Sequence, residues 1–166
     1  MSIPAGAARD LLLYMLWADR EMLAAVREVR SEDLMRDAGV SFGSLFGTMS
    51  HMAGSQKIWL SRFLGKPLDH APKPESPDLL SWITFWEETA AGFNAFLAAL
   101  TDEQLATPLT WTSLKGDTAT QPLWQLVVHV VNHSSYHRGQ VTSLLRQMGY
   151  TPPSTDLSRY FLSVER

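Results

Sequence analysis

The sequence predicts an all-α protein, a four-helix bundle, and three observations support this fold class. Four long segments carry apolar residues at helical spacing, with few glycine or proline residues inside them. Glycine and proline instead cluster between these segments, where they mark the ends of helices. The chain has 166 residues, 45% of them apolar, so we expect residues 1–166 to form a single domain with one core.

The first predicted helix covers about Ala7–Val29 and is ended by Ser31–Asp33. Its apolar face is made of leucine, methionine and valine: Leu12, Leu13, Leu16, Met22, Leu23 and Val26. The second predicted helix covers about Gly43–Leu64, because Ser41 suits an N-cap and Gly65 suits the residue that follows a helix. Helices of this length, about 30–40 Å, favour lying side by side in a bundle.

The third predicted helix follows a connector, residues 66–77, whose prolines cannot sit inside a helix. We expect this helix to run from Pro77 to Leu100, with Ser76 as its cap and proline at its first position. Thr101 then begins a capping-box pattern, Thr-Asp-Glu-Gln, that predicts one short extra turn.

The fourth predicted helix runs from about Gln121 to Met148, with Pro122 in its first turn and Gly149 after its end. Residues 109–120, just before it, alternate partly in polarity and contain Lys-Gly-Asp, which predicts a small hairpin or an irregular loop. The tail, residues 150–166, is expected to pack along the bundle.

Composition excludes several classes of function. The chain contains no cysteine, so disulfides, cysteine-type zinc sites, iron–sulfur clusters and a thiol nucleophile are absent. With 14 basic and 17 acidic residues, the charge gives no reason to expect nucleic acid or an anionic membrane. The longest apolar runs are far below the ~20 residues that span a bilayer, and Leu11–Ala18 lacks a signal cleavage site. We therefore expect a cytoplasmic protein.

Histidine spacing points to a metal site. His129, His133 and His137 follow one another at four-residue intervals in the fourth helix, so they share one face and neighbouring imidazoles can converge on one ion. His51 lies in the second helix. Small residues surround it, which predicts either close helix contact or a hollow: Gly47, Thr48, Gly54 and Ser55.

Each histidine also has a plainer explanation. A lone histidine on an apolar face often bonds to a carbonyl, and a four-residue histidine spacing arises by chance. Together, His51, His133 and His137 favour a shared metal ion. His129 extends that site, supports it or packs beside it, while His70 lies in the connector and is expected to be solvated.

Other catalytic patterns are missing from the sequence. No histidine has a glutamate three residues before it, which excludes the ferritin-like di-iron pattern. The chain also lacks His-Glu-x-x-His, a phosphate-binding Gly-Lys-Ser/Thr loop and a Gly-x-Ser-x-Gly elbow. A histidine-held metal is the site chemistry that remains.

The last predicted helix carries a family resemblance. Residues 123–141 resemble the closing helix of the DinB/YfiT-like metalloenzymes, whose motif is His-x-x-Tyr/His-His-Arg-Gly-Gln. In this chain the motif begins at His133 and continues through Tyr136, His137, Arg138, Gly139 and Gln140.

The resemblance extends over nearly the whole chain. Residues 14–19 are similar to the family's first-helix motif Tyr-x-x-Trp-Ala-Asn, with Asp19 in place of the usual asparagine. His51 stands at the place of the family's second-helix histidine. The tail after Gly149, with Asp156 and Tyr160, is similar as well.

The resemblance implies a four-helix bundle that binds a divalent metal, often nickel or zinc, through three histidines. Carried over to this chain, the ligands are His51, His133 and His137, while the family pattern does not make His129 a ligand. Family members are often homodimers. Some relatives are thiol S-transferases or isomerases that use bacillithiol, mycothiol or glutathione.

The leading hypothesis is a metal-dependent enzyme. Three protein ligands leave a position open for water or a small thiol, and a thiol must come from outside because the chain has no cysteine. The reaction is then thiol transfer or hydrolysis of a small-molecule substrate, in stress response or detoxification. The alternatives are a non-enzymatic metal or small-molecule binding protein, and a bundle in which the histidines only pack.

Several residues are candidates for supporting roles around the metal. Arg138 is expected to make an ion pair or an anion contact, and Gln140 a hydrogen bond to a ligand, with pairing on the helix surface as the alternative for both. Asp19 or Asp156 is expected to orient a liganding imidazole. Tyr136 is a candidate for the pocket.

Overall fold

The computed structural model describes residues 2–164 and confirms an all-α bundle of four long helices with a small hairpin before the last of them. The elements follow in chain order: α1 Ala5–Val26, α2 Ser31–Met35, α3 Leu45–Phe63, α4 Leu79–Ala99, α5 Asp102–Ala106, β1 Pro108–Thr112, β2 Thr118–Pro122, α6 Leu123–Gln147 and α7 Leu157–Val164. α6 packs against both α1 and α3, and α4 packs against α3.

The core lies between the four long helices. Each contributes fully buried apolar side chains, for example Met15 of α1, Met49 of α3, Phe93 of α4 and Val127 of α6. Burial of one such side chain contributes about 1.5–3 kcal/mol, so packing holds the bundle together. Among the apolar residues predicted for α1, Leu13 is 40% exposed and lies on the outer surface instead.

Two helices begin later than the sequence suggested. α3 is capped by Ser44, whose hydroxyl accepts from the Gly47 amide at 3.0 Å, and not by Ser41. The reason is that residues 38–43 form a turn of their own, in which the Ala38 amide donates to the Gly43 carbonyl. Likewise α4 is capped by Asp78 and not by Ser76.

Other boundaries agree more closely. Thr101 and Gln104 form the predicted capping box at the start of α5. Gly65 and Gly149 follow α3 and α6 with φ of 69° and 85°, the left-handed conformation expected after a helix. α1 ends at Val26, three residues before the predicted end.

The hairpin leads directly into α6. β1 and β2 pair antiparallel, from Pro108 opposite Pro122 to Thr112 opposite Thr118. Pro122 ends β2 and stands at the N-cap of α6, one position before the first turn where we expected it. The hairpin therefore lies at the N-terminal end of α6.

The tail packs along α1, as expected, but it also contains a helix that the sequence did not predict. Tyr160 of α7 is buried, and its ring centroid lies 5.9 Å from that of Tyr14 and 5.6 Å from that of Trp17. No helix within residues 2–164 combines the length and apolar character needed to cross a membrane.

The small residues of α3 accommodate connecting loops. A Cβ at Gly47 would overlap the carbonyl oxygen of Phe42, and a Cβ at Gly54 would lie 2.5 Å from the carbonyl oxygen of Pro72. The small residues of α3 therefore make room for the backbone of two connecting loops, not for a second helix. One of these contacts places Phe42 directly against α3.

We expect Gly47→Ala to destabilise the fold by about 1–3 kcal/mol, because the added methyl group meets backbone that has little room to move. Gly139→Ala is the matched control: its Cβ meets nothing within 4 Å, so it gains about 1 kcal/mol of helix propensity. Urea unfolding of both variants measures the difference. Equal free energies of unfolding would contradict the close approach of Phe42.

Candidate metal centre

Three histidines from two helices converge near the middle of the bundle. His51 comes from α3, and His133 and His137 lie one turn apart on α6. One ring nitrogen of each lies within 4.8 Å of the other two, and among residues 2–164 no further metal-ligating group of this kind is found. His137 is buried, while His51 and His133 are half-buried. The site is thus anchored on its inner side and reachable from outside.

The two α6 imidazoles face each other through their Nε2 atoms. These nitrogens are 3.2 Å apart, close to the ~3.4 Å that separates two nitrogens bound tetrahedrally to one zinc ion at about 2.0–2.1 Å. Two such nitrogens need either a shared proton or a cation between them. The donor set and its spacing therefore fit a divalent metal.

Gln140 determines which nitrogen of His137 faces the cluster. Its Oε1 lies 2.7 Å from Nδ1 of His137. Because an amide oxygen only accepts, Nδ1 carries the proton, and the lone pair is left on Nε2. This is the arrangement in which an outer hydrogen bond orients a liganding imidazole.

Burial favours the uncharged form of two of these histidines, His51 and His133. Burial first, and then the neighbouring His137, His51 and His129, together lower the pKa of His133 to about 4. The pKa of His51 is also lowered, by burial and then by His137. Metal binding requires neutral imidazoles, so these histidines are ready to bind at neutral pH.

Phe42 covers one side of the three histidines. Its ring stacks on His51 with centroids 3.9 Å apart and an angle of 14°, and it meets His137 edge-on at 5.5 Å. Tyr136 is 64% exposed and lies edge-on to His137 at 5.1 Å. The sequence did not single out Phe42, because its contact depends on the turn before α3.

The same stretch of α6 contains a buried ion pair. Nη1 of Arg138 donates to Oδ1 of Asp19 at 2.8 Å, and both side chains are almost completely buried. Nη2 of Arg138 also donates to the hydroxyls of Tyr14 and Ser135. Arg138 thus ties α6 to α1, as an ion pair in the interior and not as a surface pair.

Gln56 extends this pair to α3. Its Nε2 donates to Oδ2 of Asp19 at 2.6 Å and to the Ser134 hydroxyl at 3.0 Å. α1, α3 and α6 therefore meet in one polar network beside the histidines. Gln56 and Ser134 were missed by sequence reasoning, because a single polar residue in a helix does not indicate which neighbour it meets.

The sequence matches the DinB family over residues 1–164. The chain belongs to the DinB family. It is 28% identical over 161 residues to Protein DinB of Bacillus subtilis (strain 168), with 92% of each chain covered.

A DinB-like protein from Bacillus cereus ATCC 10987, known from a crystal structure, has the same fold. The two structures agree with a TM-score of 0.72 at 22% sequence identity, over 93% of this chain and 99% of the other. At this identity the likeness supports the fold alone. It agrees with the resemblance seen in the DinB motif of α6.

Not every candidate residue of this DinB chain lies where we expected. Neither Asp19 nor Asp156 hydrogen-bonds to an imidazole, because Asp19 pairs with Arg138. Asp156 is exposed, and its carboxylate accepts a hydrogen bond from the Ser154 hydroxyl. The backbone carbonyl of Asp156 accepts from amides in the first turn of α7. The amide of Gln140, not a carboxylate, bonds to the imidazole of His137.

The two remaining histidines stand apart from the cluster. His129 is exposed on α6, edge-on to Trp59 at 5.0 Å and 6.0 Å from the ring of His133. Its neighbours shield part of the ring from water, and this partial desolvation, followed by the positive charge of Arg62, lowers its pKa. His70 is exposed in the connector beside Asp69, as expected.

We expect Asp19→Ala to destabilise the protein by about 3–5 kcal/mol, because it leaves the Arg138 charge buried and unpaired. Asp19→Asn keeps an acceptor oxygen and has a smaller effect. Denaturant unfolding measures both, with Glu88→Ala as the control because Glu88 forms an exposed pair with Lys57 that is worth no more than about 1 kcal/mol. Equal effects of Asp19→Ala and Glu88→Ala would refute a stabilising buried pair.

The lowered pKa of His133 predicts a pH dependence of stability in chelator-treated protein. The unfolded chain binds a proton near the ordinary value of 6.5, whereas the folded chain binds it only at about 4. The free energy of unfolding therefore decreases as the pH drops from about 6.5 to about 4. Below about pH 4 the effect of His133 is complete and no longer changes with pH. His133→Gln should flatten this slope in pH-dependent unfolding, and His70→Gln should not.

Proposed function

We propose that this DinB-family protein is a divalent-metal-dependent enzyme whose ion is held by His51, His133 and His137. The observation that carries the proposal is the convergence of three imidazole nitrogens within 4.8 Å, two of them facing each other at 3.2 Å. Three imidazoles suit nickel or zinc, the ions we expect here.

The chain itself prepares the site in two ways. Gln140 fixes the orientation of His137 through its Nδ1 proton, and the stacked ring of Phe42 excludes water from one side. The partial exposure of His51 and His133 leaves the other side open to a small molecule. An ion bound with an open position lowers the pKa of water or of a thiol and so supplies a nucleophile.

The reaction we propose is thiol transfer, with hydrolysis as its variant. Because the chain has no cysteine, the thiol is an external small molecule. Its sulfur forms a bond to an electrophilic carbon, the leaving group departs with its bonding pair, and the thiol proton passes to solvent. A small-molecule substrate, a homodimer, a cytoplasmic location and a role in stress response or detoxification belong to the same proposal.

A second candidate is a protein that binds a metal or a small molecule without catalysis. It is favoured by the surroundings of the imidazoles: in the part of the chain that the structure describes, no aspartate or glutamate joins the histidine cluster. Such a site offers no Asp or Glu side chain as a second general acid or base beside the imidazoles. The two candidates differ in turnover, not in metal binding.

We expect purified protein to contain close to one divalent ion per chain, and His51→Ala and His137→Ala to lose it. His129→Ala is the matched control and should keep its metal, because His129 lies outside the cluster. Metal analysis together with circular dichroism separates loss of the ion from loss of the fold. Full metal content in both ligand variants would overturn the site.

Turnover then decides between the two candidates. We expect small thiols to change the visible spectrum of the cobalt-substituted protein and to be transferred to members of a panel of epoxides, alkyl halides and esters. His137→Ala should remove both signals. Thiol or metal binding without turnover on any member of the panel would favour the binding protein.

A further inference from the structure

Arg62 is a buried cation for which residues 2–164 supply no buried anion. Its side chain lies near the end of α3 and the residue is only 7% exposed. Among the residues described, no carboxylate lies within ion-pair distance of it. Buried charges are normally paired, because removing them from water is costly. Arg138 differs in this respect, because its charge is paired with that of Asp19.

Two aromatic rings and one carbonyl hold the guanidinium in place. Its Cζ lies 4.5 Å from the ring centroid of Trp59 and 5.3 Å from that of Trp111. Nη2 donates to the carbonyl oxygen of Thr112 at 2.8 Å. Trp111 and Thr112 belong to β1, so the hairpin supplies half of this cradle.

Donors of Arg62 remain available. A guanidinium has five N–H groups, and within residues 2–164 the one acceptor found for them is the Thr112 carbonyl. None of the Arg62 nitrogens is both buried and unpaired. The remaining nitrogens therefore keep a small accessible surface at the edge of the two rings, although the side chain as a whole is buried.

This cradle is connected to the histidine cluster by a row of rings. Arg62 follows His51 by eleven residues, about three helical turns, so both lie on the same side of α3. Trp59 contacts Arg62 on one side and His129 on the other, at 5.0 Å. His129 in turn lies 6.0 Å from His133. Three ring contacts thus separate the guanidinium from a proposed metal ligand.

We propose that Arg62 binds the carboxylate of a small organic acid whose apolar body lies along Trp59, Trp111 and His129 and whose other end reaches the three histidines. This inference rests on the proposed function and names its substrate class. A carboxylate matches the planar fork of arginine, and an apolar body matches the rings. The anion also neutralises a charge for which the described part of the chain supplies no partner.

Binding at Arg62 can be tested without a metal, by NMR of the Arg62 Nε–H and the Trp59 and Trp111 Nε1–H groups. We expect octanoate to shift these signals with a dissociation constant at least about tenfold below that of octanol, because octanol cannot make the charge-assisted hydrogen bonds of a carboxylate to the guanidinium. Equal shifts with octanol, or with inorganic phosphate, would overturn the proposal.

Variants locate the effect. In Arg62→Gln, octanoate and octanol should bind with equal dissociation constants, measured at the tryptophan signals. Arg62→Lys keeps the positive charge and serves if the glutamine variant does not fold. It should also bind octanoate more weakly than the unchanged protein does. Arg146→Gln is the matched control, an exposed arginine at the far end of α6, and should leave octanoate binding unchanged. Undiminished octanoate binding in both Arg62 variants would refute the assignment.

Whether a molecule bound at Arg62 also reaches the metal is tested with the cobalt-substituted protein and two pairs of thiols. Mercaptoundecanoate should bind about tenfold more tightly than mercaptoundecanol, whereas mercaptopropionate and mercaptopropanol should not differ in this way. If octanoate shifts Arg62 but no thiol alters the cobalt spectrum, the proposed function fails and the acid site stands. If thiols alter the spectrum but octanoate shifts nothing, the acid site fails alone.

Discussion

The buried ion pair between Arg138 and Asp19 is the constraint on which the arrangement of this bundle depends. Both groups are almost fully removed from water, so the pair is tolerated only with good geometry and further hydrogen bonds, which Tyr14, Ser135 and Gln56 supply. Apolar side chains allow helices to slide or rotate by small amounts at low cost. A charged pair with several directional bonds does not, and it therefore fixes the register of α6 against α1.

The distances between the three histidines depend on this network, because it fixes the position of α6 relative to α3. His137 directly precedes Arg138 on α6, and Gln56, which donates to Asp19, lies little more than one turn beyond His51 on α3. The polar network and the imidazoles are thus neighbouring parts of the same α3–α6 contact. Supporting residues of this kind hold a site within the small tolerance that metal coordination requires. Gln140 and Phe42 then adjust individual rings, but the distance between the two helices is set deeper in the bundle.

Much of this could be predicted from the sequence, for physical reasons. Helical periodicity, the Thr101 capping box and the hairpin are local patterns, and the spacing of His133 and His137 follows from the helical repeat alone. The positions of Ser44 and Phe42 could not be predicted, because they depend on hydrogen bonds within the turn that precedes α3. The partners of Asp19 could not be assigned either, since Gln56 and Arg138 are distant in sequence and only packing brings them together.

The long connection before α6 illustrates why such tertiary contacts matter for function. A four-helix bundle closes with a short link, yet here the chain forms α5 and then a hairpin that places Trp111 and the Thr112 carbonyl beside Arg62. Stacking on Trp59 and Trp111 offsets part of the cost of burying that charge, but rings and one carbonyl do not neutralise it. The hairpin therefore does more than connect two helices: it holds a cation on the same side of α3 as the histidines. An elongated anionic molecule, bridging the row of rings, would complete the charge balance of that surface.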